Sequence, residues 1–131
     1  MKYLVDTDIA SNFAKNVSPK LKKRMLENIG EWAISSVTYH ELWRGLMQTK
    51  SEKIEMFLTN FLASVRVLSF DDGDARESGR VLAELISAGK PIGDADTLIA
   101  GQAMANQLTL VTNNTKHFLR VKGLQVENWM K

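Results

Sequence analysis

Short apolar runs, each followed by a segment of helical period, constrain this chain more than any other feature of its sequence. Tyr3-Leu4-Val5, Trp32-Ala33-Ile34, Val65-Arg66-Val67-Leu68 and Leu108-Thr109-Leu110-Val111 have strand length and polar boundaries. Leu124-Gln125-Val126 reads as a fifth strand, at the edge. Ser18-Pro19 opens a helix over the basic segment Lys20 to Asn28, with Ser as N-cap and Pro at the first helical position. Ile54, Phe57, Leu58, Phe61 and Leu62 recur at helical spacing and place one apolar face toward a core. Asp71 and Asp72 cap the next helix, whose stripe is Val81, Leu82, Leu85 and Ile86 and which Gly89 ends. Gly89-Lys90-Pro91 is a loop, and a helix from about Asp94 to Asn106 leads into the fourth strand. Strands alternating with helices predict an α/β fold, a central parallel sheet of about five strands flanked by helices. With 131 residues and no repeat, linker or low-complexity tract, positions 1–131 form a single domain.

Composition narrows the chemistry. There is no cysteine and there are only two histidines, which excludes a disulfide framework, a thiol nucleophile and a cysteine-based metal site. Any metal has to be held by oxygen. The net charge is +2, too small to mark a nucleic-acid or membrane-surface protein by itself. The N-terminal apolar run meets Asp6 and Asp8 at once, so no secretory signal is expected, and no run approaches the roughly 20 residues of a membrane span. The expected location is cytoplasmic.

The acids fall at informative places. Asp6 ends the first strand, Glu41 lies in the first turn or two of the helix after the second, Asp94 and Asp96 open a later helix, and Asn114 follows the fourth strand. In a parallel sheet the C-terminal strand ends share one rim, where ligands bind, so these side chains should converge. Converging carboxylates repel unless a cation lies among them, and an all-oxygen donor set favours Mg²⁺ or Mn²⁺. Each residue also has a structural reading. Asp6 and Asp8 suit a turn or cap, Thr38-Tyr39-His40-Glu41 matches a capping box, and Asp94 is a good N-cap. Asp96 suits the dipole of a first helical turn, and Asn114 suits a turn. His40 and His117 read as surface or packing residues, and Trp43, Leu46 and Met47 as core or subunit interface. The basic residues Lys15, Lys20, Lys22, Lys23 and Arg24 fit a solvated face or a phosphate-contacting patch.

Four segments together resemble the successive motifs of PIN-domain ribonucleases. They are Leu4-Val5-Asp6-Thr7-Asp8, Ile34 to Leu42, Asp96-Thr97-Leu98-Ile99-Ala100 and Leu110 to Phe118, and they span nearly the whole chain. Within that family the chain looks most like VapC-type toxins of toxin–antitoxin pairs. The resemblance implies that Asp6, Glu41 and Asp96 are the catalytic, metal-binding carboxylates, with Asp8, Asp94, Thr112 and Asn114 in support. Thr112 would orient an acidic neighbour or a water. The family usually has Asn at the position of Asp8, and many members have Asp at that of Asn114, a neutral and weaker ligand that weighs against a second metal ion. The implied activity is Mg²⁺-dependent endoribonuclease cleavage of tRNA or another structured RNA, with Mn²⁺ as a substitute. Water would displace the 3′-oxygen, leaving a 5′-phosphate and a 3′-hydroxyl. The implied partners are an RNA substrate, a small antitoxin and a second copy of the chain in a homodimer. Two alternatives stand beside this reading: a PIN-like domain that binds without cutting, and a haloacid-dehalogenase-like phosphatase, whose Asp-x-Asp motif Asp6-Thr7-Asp8 would match.

Overall fold

A computed structural model describes residues 1–131. Five parallel strands form one sheet in the order β3-β2-β1-β4-β5. They are β1 (Tyr3–Val5), β2 (Trp32–Ser35), β3 (Val67–Leu68), β4 (Thr109–Val111) and β5 (Val126–Glu127). The central strand β1 pairs Tyr3 with Trp32 on one side and with Thr109 on the other. Seven helices connect them: α1 (Thr7–Ala14), α2 (Pro19–Glu27), α3 (Ser36–Gln48), α4 (Glu52–Ser64), α5 (Asp72–Ser87), α6 (Asp94–Ala105) and α7 (Thr115–Phe118). No helix is long and apolar enough to cross a membrane.

Alternation along the strands makes a core on each face. Val5 and Val111 point into a cluster with Ile9, Leu21, Met25, Leu42, Leu58 and Trp129, under α1 to α4. Leu4 and Leu110 point the other way, to Val81, Leu85, Ile99, Ala103 and Phe118, under α5 to α7. Fully burying each large side chain contributes about 1.5–3 kcal/mol.

Most element boundaries match the sequence. Ser18 caps α2 through Leu21 N, with Pro19 at its start, and Gly89 turns the chain after α5 with φ of 68°. Asp71 caps α5 in a reciprocal capping box with Asp74. Three expectations are corrected. The third strand begins at Val67 rather than Val65, because α4 runs to Ser64 and uses Val65 as its C-cap. The fifth is Val126–Glu127, since Leu124 turns into the core instead of pairing. The α3 N-cap is Ser35, whose hydroxyl accepts from Val37 N, so Thr38 and Glu41 do not form a capping box.

A buried polar cluster fixes α6. Gln102 donates from Nε2 to the carbonyls of Leu68 and Ser69, both at 3.2 Å, and to Asp74 Oδ2 at 3.1 Å. Asn106 donates to Asp74 Oδ1 at 2.8 Å. The β3–α5 junction is thereby tied to the helix that carries Asp96.

Candidate active site

Strand order reverses at β1, since the chain proceeds from it to β2 and β3 on one side and returns to β4 on the other. Ligand crevices of open parallel sheets lie at such a point. A cleft of about 550 Å³ opens there, lined by Asp6, Asp8, Glu41, Asp96 and Asn114 among others. Of the sequence-derived acids only Asp94 stands away from it: exposed, in the first turn of α6, with Gly93 rather than Asp94 as the N-cap. Gly93 has φ of 99°, a conformation that favours glycine.

Each acid is held differently. Asp6 caps α1, its Oδ1 accepting Ile9 N at 2.9 Å, and is only 5% exposed. The capping and site readings of Asp6 therefore coincide. Burial raises its pKa to about 6, against the lowering effects of the Thr112 hydroxyl and the Ile9 amide; the charges of Asp8 and Asp96 raise it further. Thr112 is fully buried at the end of β4 and accepts Asn114 N at 2.9 Å, so its own proton is available to Asp6. Glu41 comes from the second turn of α3, where Thr7 Oγ1 donates to its Oε1 at 2.6 Å. Thr7 Oγ1 lies 3.0 Å from the Thr38 hydroxyl, so Thr38 donates to Thr7 and Thr7 to Glu41. Asp96 is half-buried, and its pKa is raised by burial, lowered by His117 and raised by Glu41. Asn114 is exposed at the start of α7 and makes no side-chain capping bond.

Several participants escaped sequence reasoning. Thr7 sits inside a motif read for its acids, yet it aims the acid of another helix. His117, expected as a surface or packing residue, places Nε2 3.1 Å from Asp96 Oδ2 and 2.8 Å from the Ile92 carbonyl. No periodicity could link His117 to Asp96, since the pair meets only when α6 and β4 pack. Lys15 and Arg44 also line the cleft. Of the basic cluster, Arg24 is taken by Glu127 at 3.6 Å and lies over the Trp129 ring, while Lys20, Lys22 and Lys23 face solvent. His40 is exposed as expected; Leu46 belongs to the core, and Trp43 and Met47 are exposed on α3.

The donor set fits an oxygen-bound divalent cation. The charge of Asp96 adds to the cost of ionising Asp6, and that of Glu41 to the cost of ionising Asp96, a cost that a cation among them would remove. No three of these side chains stand close enough to hold an ion by themselves, so an ion held here would take the rest of its coordination from water.

A family model described as PIN domain matches residues 3–124. The chain is 37% identical over 130 residues to the tRNA(fMet)-specific endonuclease VapC of Shigella flexneri, with 98% of each chain covered. It is 34% identical over 131 residues to Ribonuclease VapC2 of Haemophilus influenzae, with 99% of each covered. Among solved structures, DNA-bound VapBC from Salmonella typhimurium matches with a TM-score of 0.88 at 34% identity, over 98% of both chains. VapBC2 from Rickettsia felis bound to a DNA fragment from their promoter matches with a TM-score of 0.89 at 32% identity, over 98% of this chain and 99% of that one. These matches displace the phosphatase reading. A five-stranded parallel sheet with acids from three elements at its switch point, together with full-length likeness to these proteins, establishes that the chain belongs to the PIN-domain family and, within it, to the VapC ribonucleases.

Proposed function

We propose that this chain is a divalent-metal-dependent endoribonuclease that cuts tRNA or a similarly structured RNA and serves as the toxin of a toxin–antitoxin pair. The observation that carries the reading is the convergence of Asp6, Glu41 and Asp96, from three separate elements, on one open cleft. Asp6 and Asp96, with Glu41 directly or through water, would hold a Mg²⁺ or Mn²⁺ ion, whose chemistry when bound would be charge neutralisation at the phosphorus and a lowered pKa of water. The chain's own groups set the stage. The Ile9 amide and Thr112 hydroxyl hold Asp6, and the Thr7 hydroxyl holds Glu41. Lys15 and Arg44, which form no ion pair within 4 Å, stand at the same cleft to meet phosphates on either side of the bond that is cut. Water replaces the 3′-oxygen, leaving a 5′-phosphate and a 3′-hydroxyl.

The names of the relatives support tRNA as the substrate class, and the solved VapBC complexes support a VapB-type antitoxin as partner. Exposed Trp43 and Met47, four residues apart on α3, give such a partner apolar side chains on a helix that also contributes Glu41 to the cleft. Sedimentation of the free chain checks the homodimer that the family resemblance implies.

The test is cleavage of total bacterial RNA by wild type and Asp6→Asn, with Mg²⁺, Mn²⁺ or EDTA, followed by mapping of fragment ends. Discrete products with 5′-phosphates, formed only with metal and at least 100-fold more slowly by the variant, are expected, on the order of one essential electrostatic group. Folded wild-type protein that cuts nothing under any metal condition would leave a binding-only PIN domain.

A further inference from the structure

His117 lies on α7, 21 positions beyond Asp96 in sequence, yet its Nε2 reaches both Asp96 Oδ2, at 3.1 Å, and the Ile92 carbonyl, at 2.8 Å. The carbonyl fixes the tautomer. A main-chain oxygen can only accept, so Nε2 carries the hydrogen and shares it between the two oxygens. The contact with Asp96 is therefore N–H to carboxylate whether or not the ring is charged. Ile92 is itself buried, and Arg120 Nη1 donates to the neighbouring Pro91 carbonyl at 3.1 Å, so the ring works from a fixed base. Its edge also packs against buried Phe118, with ring centroids 5.3 Å apart at 87°.

Asp96 needs such a tether. It projects from the first turn of α6, whose N-cap Gly93 offers no side chain, and 40% of its side chain is exposed. With Oδ2 engaged by His117, Oδ1 receives no hydrogen bond from the chain. Carboxylates that bind metals commonly have one oxygen fixed by an outer hydrogen bond so that the other meets the ion with little loss of rotamer freedom. We infer that His117 is a positioning residue: it clamps one oxygen of Asp96 against the loop at Ile92 and so presents the other to a divalent cation in the cleft. This rests on the metal-dependent reading of the site.

Mn²⁺ binding by the purified chain, without RNA, tests it by calorimetry, with melting of the cation-free proteins alongside. His117→Gln carries an amide N–H to about the reach of Nε2, His117→Asn stops short of it, and His117→Phe keeps the ring without the donor. Gln is expected to bind Mn²⁺ nearly as wild type does, while Asn and Phe bind roughly 10–100-fold more weakly with nearly unchanged melting. The metal concentration for half-maximal RNA cleavage should move in the same order. Equal Mn²⁺ affinity in all four proteins would overturn the role of His117 while leaving the metal site intact. Unfolding of both the Asn and Phe variants would make His117 a structural clip between α7 and the loop, overturning its role toward Asp96. Wild type that fails to bind Mn²⁺, or Asp6→Asn that binds it equally, would sink the reading of the site itself.

Discussion

Asp6 shows how one residue serves fold and chemistry together. Its carboxylate caps α1, which orients it, and it is buried beside Asp8 and Asp96, which makes its charge costly. Its pKa rises from 3.8 in the unfolded chain to about 6 in the folded one. Between those values the native state holds a proton that the unfolded state has lost. The stability associated with neutral Asp6 is therefore complete below about pH 4 and is lost as pH rises through about 6, an effect of roughly 2–3 kcal/mol. Asn keeps the cap and has no charge to bury. In EDTA, the Asp6→Asn variant should thus gain stability relative to wild type as pH rises from about 4 to about 6.5, measured by urea denaturation. A difference that stays constant over that range would refute the burial of this charge. The same proton competes with a cation, so metal-dependent cleavage should fall about tenfold per pH unit below 6. The acids themselves were legible in the sequence, since carboxylates at strand ends have few reasons to converge. Thr7 and His117 were not, because what they do depends on Glu41 and Asp96 brought from distant segments.

Among the elements, the central strands and the long amphipathic helices could be read from pattern, and the edges could not. β3 and β5 are two residues each, too short for alternation to set their register. Helix α6 has no apolar stripe because Thr97, Ile99, Ala100, Gly101, Gln102 and Ala103 are all buried; it is enclosed, not amphipathic. Its closest neighbour is α5. A Cβ added at Gly101 would come within 2.6 Å of the Ser78 amide nitrogen and closer still to its Cα and Cβ. Gly101→Ala should therefore destabilise the protein by about 1–3 kcal/mol, as overpacking does. Denaturant midpoints at constant slope would measure it. Adding Ser78→Gly should not restore stability, since the Ser78 main-chain atoms remain in the way. Recovery in that double variant would show that the helices approach through side chains alone. Because α6 carries Asp96, this seam between helices is also a constraint on the site.

Over the whole molecule, charge is unevenly placed: the first 66 residues carry 10 basic and 7 acidic side chains, a net +3, and the rest carry −1. Lys15 and Arg44 both belong to the basic half and line the acidic cleft. In an Asp6→Asn background with EDTA, Lys15→Gln and Arg44→Gln should each weaken binding of a fluorescent RNA hairpin. Each should also reduce the slope of log affinity against log salt by about 0.7–0.9, as loss of one phosphate contact does. An unchanged slope would remove that residue from the RNA path. The fold class was legible from the alternation of segments, whereas the placing of cations around acids was not, because it arises from three-dimensional packing. The position of β1 carries one more consequence, for the order of events during synthesis. The first strand made is the middle of the sheet, and Val5 pairs with Val111. Asp6 N donates to the Val111 carbonyl at 3.0 Å, so the backbone that sets the first acid is not complete until β4 has formed. Such distant parallel pairing is slow. A nascent chain therefore has no assembled cleft until almost its entire length has been translated, so any activity that depends on the cleft begins only at the end of synthesis.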